Sequence, residues 1–148
     1  PVKVEIDAPQ QHHDAVGTWR SITYTYADGC QIVLWGGDHG NPNTPYIEGP
    51  NGNVYPGFRC DIPDWQLKLA AYPEPERQET DFLECVRTRK PFALNEINGF
   101  RSSTLVNIGA VALQLNRTLR FDSEKLEFID DAAANRLMNQ PMRGPWNI

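Results

Sequence analysis

Several things are missing from this sequence, and each absence narrows what it can be. No apolar run in the 148 residues approaches the roughly 20 needed to cross a bilayer, so the expectation is a soluble protein without a membrane span. No basic, apolar, small-residue sequence opens the chain, so no signal peptide is read here. Lysine and arginine are in deficit and scattered, giving a net charge of −5, which argues against nucleic acid as a partner. Only three cysteines occur, Cys30, Cys60 and Cys85, without metal-like spacing; they read as free, buried thiols. No glycine-rich loop lies between a strand and a helix, so no nucleotide cradle is visible, and Gly36-Gly37 and the glycines at 49 and 52 read as turns.

What is present falls into two halves of different period. Val2, Val4 and Ile6 alternate with Lys3, Glu5 and Asp7, a strand with one solvated face. Two further alternating runs, 21–26 and 30–35, flank Asp28-Gly29, a strong hairpin signal for which a type I′ turn is expected. Residues 36–53 are rich in Gly, Pro and Asn. They hold a short strand at 46–48 and a turn at Asn51-Gly52 leading into a strand over 54–58. Residues 65–71 predict a turn or two of helix, and the prolines at 73 and 75 a stiff connection.

From Thr80 the period becomes helical. Thr80 is the expected N-cap of a short helix with Asp81 in its first turn and Phe82, Leu83 and Val86 as its buried stripe. Pro91 ends it, and Asn95 caps a long helix. There Phe100, Thr104, Leu105, Ile108, Val111, Ala112 and Leu115 share one broad apolar face, with Arg101 among them. Val106, Ala110 and Leu113 form a second strip that calls for cover from another domain or subunit. Strands at 118–121 and 126–129 and a helix over 131–138 follow. The last residues keep a Trp and an Ile, as in a tail that docks. Strands first and helices later predict an α+β domain: an open-faced, largely antiparallel β-sheet with helices packed on one face.

Candidate chemistry is sparse. His12, His13, Asp14, Asp38 and His39 are metal-ligand types, yet adjacent ligands such as His12 and His13 rarely meet one ion, and no HxH or i,i+4 spacing occurs; polar loop residues are the simpler reading and no metal site is assigned. Ser102, Ser103 and Cys85 sit in helical patterns without a nucleophile's surroundings, so no catalytic residue is assigned. Trp19, Trp35, Tyr24 and Tyr26 are either sheet packing or an aromatic platform. Arg101 reads as a paired structural cation or as a bidentate clamp for an anionic substrate group or an interface carboxylate; both require an acidic or anionic partner.

The run TDFLECVRTRKPFALNEINGFRSSTLVNIGAVALQLNRTLRFD, with Asp131, Ala134, Asn135 and the ending QPMRGPWNI, resembles the C-terminal domain of bacterial Gfo/Idh/MocA-type (glucose-fructose oxidoreductase / inositol dehydrogenase) oxidoreductases. The likeness extends through WRSITYTYADGCQIVLWGGD. It implies that residues 1–148 form a single domain, the substrate and oligomerisation domain of a longer two-domain protein, and the chain's start in mid-strand without a Met agrees. The implied partners are an N-terminal Rossmann domain of the same parent carrying NAD or NADP, a sugar, polyol or related carbohydrate, and further copies of the chain through the sheet, with the face bearing Tyr24 and Tyr26 as the expected contact. No cofactor is expected within this fragment, and alone it is expected to be inactive; a stand-alone carbohydrate- or protein-binding module is the alternative. The relatives' Asp-x-x-x-His pattern has no counterpart, and Phe100 stands where relatives often carry His, so no proton relay transfers. Arg101, His12 and His13 remain as substrate-binding or interface candidates. The compartment, cytoplasmic or periplasmic, depends on residues outside the sequence.

Overall fold

In a computed structural model, residues 1–12, 17–37, 41–74 and 79–138 are described. They fall into two compact units, one of residues 1–37 and 94–148, the other of residues 38–93. None of the described helices is long and apolar enough to cross a membrane.

The first unit begins with the strands β1 (Lys3–Asp7), β2 (Ser21–Thr25) and β3 (Gln31–Trp35). The β2–β3 hairpin forms where the sequence places it, but its loop is Ala27-Asp28-Gly29. Tyr26 N–H donates to the Cys30 carbonyl and Gly29 N–H to the Tyr26 carbonyl, at 2.8 and 3.0 Å. Only Gly29, at φ +88°, is left-handed, so this is a three-residue loop with its glycine in the bulge position, not a type I′ turn. The Asp28 side chain explains the difference: it accepts from Cys30 N–H at 2.9 Å, which holds Asp28 itself out of the left-handed region.

The second unit contains the small antiparallel sheet β4 (Ile47–Gly49), β5 (Gly52–Tyr55) and β6 (Arg59–Cys60), then the helices α1 (Trp65–Ala70) and α2 (Phe82–Thr88). Asp61 stitches this sheet's end, accepting from Asn53 N–H at 2.6 Å, Asn53 Nδ2 at 3.1 Å and the Tyr55 hydroxyl at 3.2 Å. The Asn53 backbone N–H, more than any other contact, holds its carboxyl below the usual range. Asp81 is the N-cap of α2, taking Leu83 N–H at 2.9 Å and Glu84 N–H at 3.2 Å; the cap is one residue later than expected because a carboxylate can take both donors. The expected stripe is also corrected. Phe82, Leu83 and Val86 are exposed, and Cys85 is the buried side chain. Of the three thiols only Cys85 is buried, with Cys30 on the hairpin's surface and Cys60 between.

The first unit is completed by α3 (Glu96–Leu115), β7 (Leu119–Asp122), β8 (Glu127–Phe128) and α4 (Ala132–Met138). Its sheet runs β3-β2-β1-β7-β8 and every pair is antiparallel. Asn95 caps α3 as expected, accepting from Asn98 N–H at 3.0 Å, and Asn116 closes its far end in the left-handed conformation.

Val4, Ile22, Tyr24, Leu119, Phe121 and Phe128 project from one face of the sheet and meet Ile108, Val111, Ala112 and Leu113 of α3 and Ala134 of α4 in one core. The Tyr24 hydroxyl donates to the Leu105 carbonyl at 2.9 Å. The face bearing Tyr24 and Tyr26 is therefore the helix-covered face and cannot be the oligomer surface assigned to it. The opposite face carries Lys3, Glu5, Asp7, Thr23 and Thr25, and among the described residues no helix of this unit packs on it. The α3 strip also needs correcting: Leu113 is buried and α4 packs on α3, so its C-terminal half is covered from within the chain.

Candidate functional site

The two ends of α3 differ. Ile108, Gly109, Val111, Ala112 and Leu113 are buried, whereas none of residues 96–107 is. Ile97, Phe100 and Val106 are each more than half exposed, and so is Leu94 just before the cap. Phe100 was expected in the core; the core begins two turns later. Arg101 is exposed too, which corrects its placement on a core-facing side, and among the described residues it makes no ion pair. Ile97, Phe100, Arg101 and Thr104 share the arc that, further along, enters the core at Ile108. The result is an apolar strip with one guanidinium set into it. A cation so placed offers a planar fork to a carboxylate, a phosphate or paired hydroxyls.

His12 belongs to the other end. It is exposed in the loop after β1, and Gln10, two residues earlier, accepts from Asn116 Nδ2 at 3.0 Å, at the C-cap of α3. Arg101 and Asn116 are 15 residues apart on one axis, roughly 22 Å at 1.5 Å per residue. Nothing among the described residues joins Arg101 to His12. His13, Asp14, Asp38 and His39 lie outside the described residues, as do the connection at residues 75–78 and the tail.

The loop carrying His12 is held by a residue that the pattern of the sequence does not mark. Gln11 is buried, donates from Nε2 to the carbonyls of Pro9 at 2.7 Å and Thr18 at 3.1 Å, and accepts Gly17 N–H on Oε1 at 2.6 Å. At the loop's base Arg20 forks onto Asp7, with Nε 2.8 Å from both carboxylate oxygens. That contact lowers the Asp7 pKa. Beside it the Trp19 indole Nε1 is buried with no acceptor among the described residues.

The residues singled out for the resemblance turn out to lock the fold. Arg117 forks onto Asp131, with Nη2 2.9 Å from Oδ1, and Asp131 also accepts Ala134 N–H at 3.0 Å as the cap of α4. The Arg117 guanidinium, then the helix N–H groups, depress the Asp131 carboxyl. Ala134 is fully buried. Asn135 accepts Phe128 N–H at 2.7 Å and donates to the Phe128 carbonyl at 2.8 Å, standing in for a neighbouring strand. Tyr24 is likewise structural: burial, then Tyr26, raises its pKa, and its proton is committed to Leu105.

Over residues 1–148 the chain matches the family described as the oxidoreductase family, C-terminal alpha/beta domain, of the Gfo/Idh/MocA group. The chain belongs to the Gfo/Idh/MocA oxidoreductases. No curated protein and no solved structure matches it. As the C-terminal domain of such an oxidoreductase it has an N-terminal domain as its partner in the parent protein. At the start of α3 the Asn95 side chain takes the Asn98 N–H, the carboxylate of Asp81 takes two N–H groups of α2, and every pair in the five-stranded sheet is antiparallel. Among the described residues no three His, Cys, Asp or Glu side chains are grouped to hold a metal.

Proposed function

We propose that this chain is the substrate-side half of an enzyme that transfers a hydride between NAD or NADP and a sugar, polyol or related carbohydrate. The family match over residues 1–148, as the C-terminal domain of an oxidoreductase, carries the reading. In it an N-terminal Rossmann domain of the same parent holds the nucleotide, and the chain alone is catalytically incomplete. The uncovered strip of α3 with Arg101 faces the substrate or the nucleotide domain, where a guanidinium can grip an anionic group or two adjacent hydroxyls. His12 and His13 make a separate contact, since Gln10, two residues before His12, reaches the far end of α3. The parent self-associates through the sheet of this domain.

Arg101→Met tests the role given to α3. In the isolated chain its unfolding free energy should stay within about 0.5 kcal/mol of the wild type, as is typical of a surface change. In the parent enzyme the same substitution should lower kcat/KM roughly tenfold or more, the usual worth of a charged hydrogen bond. A marked stability loss in the isolated chain, or full activity in the parent, would contradict it.

A further inference from the structure

Among the described residues a glycine directly follows an aspartate or asparagine at Asp28-Gly29, Asn51-Gly52 and Asn98-Gly99. Such a pair is chemically fragile. With no Cβ on the following residue, the main-chain nitrogen can close on the side-chain carbonyl carbon in a five-membered ring. The fold decides where that closure is open.

The Asp28 side chain is tied to Cys30 N–H at 2.9 Å, and that backbone contact, ahead of its other partners, keeps the carboxyl ionised and so resistant to attack. Asn98 is half-buried in α3. Gly99 N–H donates to the Asn95 carbonyl at 2.9 Å and the Asn95 side chain takes Asn98 N–H at 3.0 Å, so closure there must break the capped turn of a 20-residue helix. Asn51 stands differently. It is exposed in the turn between β4 and β5, and among the described residues its side chain has no hydrogen-bond partner. Pro50 fixes its own φ at about −65° and Asn51 is not left-handed, so the turn is neither of the primed types that match the twist of paired strands. Asn53 directs its N–H and C=O towards Asp61, and by the alternation of the ladder Gly52 faces Gly49, the last pair of a three-residue strand. A terminal pair beside a mismatched turn opens at low cost.

We propose that Asn51 is a site of spontaneous deamidation in the folded chain, converting to isoaspartate and aspartate. The Gly52 nitrogen, having lost its proton to solvent base, bonds to Cγ of Asn51. The Cγ–Nδ2 bond breaks, and the amide nitrogen leaves as ammonia with a proton from water. Water then opens the succinimide: addition at the side-chain carbonyl gives aspartate, and addition at the main-chain carbonyl gives isoaspartate, whose backbone is one methylene longer. Water is the only co-reactant. Either product sets a carboxylate beside Gly52, where a Cβ would lie 2.5 Å from Asp61 Oδ1. The new charge therefore opposes the Asp61–Asn53 contacts that hold this end of the small sheet.

Peptide mapping by mass spectrometry, with electron-transfer fragmentation to separate isoaspartate from aspartate, tests this on the chain incubated at neutral and mildly alkaline pH, native and in guanidinium chloride. In the native chain Asn51 should convert roughly tenfold faster than Asn98, the ratio given by about 1.4 kcal/mol of difference in opening cost. Isoaspartate should exceed aspartate at position 51, and the rate should rise with pH because the attacking nitrogen must lose its proton. In guanidinium chloride the two asparagines should convert at similar rates. Asn51→Gln, which could cyclise only through a six-membered ring, should stay unconverted with the wild-type circular dichroism spectrum. An Asn51 that stays intact in the native chain while converting in denaturant overturns the proposal. So does an Asn98 that converts as fast as Asn51 in the native chain, or aspartate at position 51 without isoaspartate.

Discussion

Gly109→Ala is expected to destabilise the chain by about 3 kcal/mol, near the upper end of what overpacking costs. A Cβ at position 109 would lie 2.2 Å from the Tyr24 hydroxyl oxygen and 3.3 Å from the ring carbon bearing it. Tyr24 is 1% exposed and its hydroxyl is tied to the Leu105 carbonyl, so the ring cannot swing aside. Helix propensity alone gives the opposite sign, since alanine is favoured over glycine by about 1 kcal/mol inside a helix. The expected fall in melting temperature is roughly 10 °C for a chain of this size. Tyr24→Phe alone should lose about 1 kcal/mol with its hydrogen bond. In the double variant the 2.2 Å clash disappears, so it should be more stable than Gly109→Ala alone, a coupling that a thermodynamic cycle reads directly. A stabilised Gly109→Ala would mean that helix and sheet do not meet this closely.

Asn135→Ala is expected to cost a comparable amount, about 3 kcal/mol. Phe121 and Phe128 face each other in the sheet, their rings edge to face at 5.4 Å, while Ile129 N–H donates to the Arg120 carbonyl. That alternation turns the N–H and C=O of Phe128 away from β7 and onto the Asn135 amide. Alanine leaves both beside a side chain that is 1% exposed, and each unsatisfied group costs about 1–3 kcal/mol. Urea unfolding measures the loss. A change below about 0.5 kcal/mol, the range of ordinary surface substitutions, would show that water serves Phe128 equally well.

The strands and the long helix were legible because alternation and helical spacing report which side chains share a face. Neither reports which face is covered. Tyr24 and Tyr26 were correctly placed together, yet the cover turned out to be α3 and not another copy. The same gap explains α2, whose apolar residues Phe82 and Leu83 remain exposed, and Phe100, which shares the arc of Ile108 but precedes the core. Gly109 and Gln11 gave no periodic signal. One matters through a missing side chain and the other through three hydrogen bonds to its own loop. Of the candidate site, Arg101 was legible as a cation out of place on its helix, but the course of the loop after β1 is fixed by side-chain contacts such as Gln10–Asn116 and those of Gln11, which leave no periodic signal.

The central claim is a division of labour: this domain presents substrate-side surface and the nucleotide belongs to the other domain. Calorimetric titration of the isolated chain with NAD and with NADP tests it most directly. No saturable heat is expected with either nucleotide, and no shift in melting temperature at saturating concentrations. Stoichiometric, saturable binding of either one would contradict it.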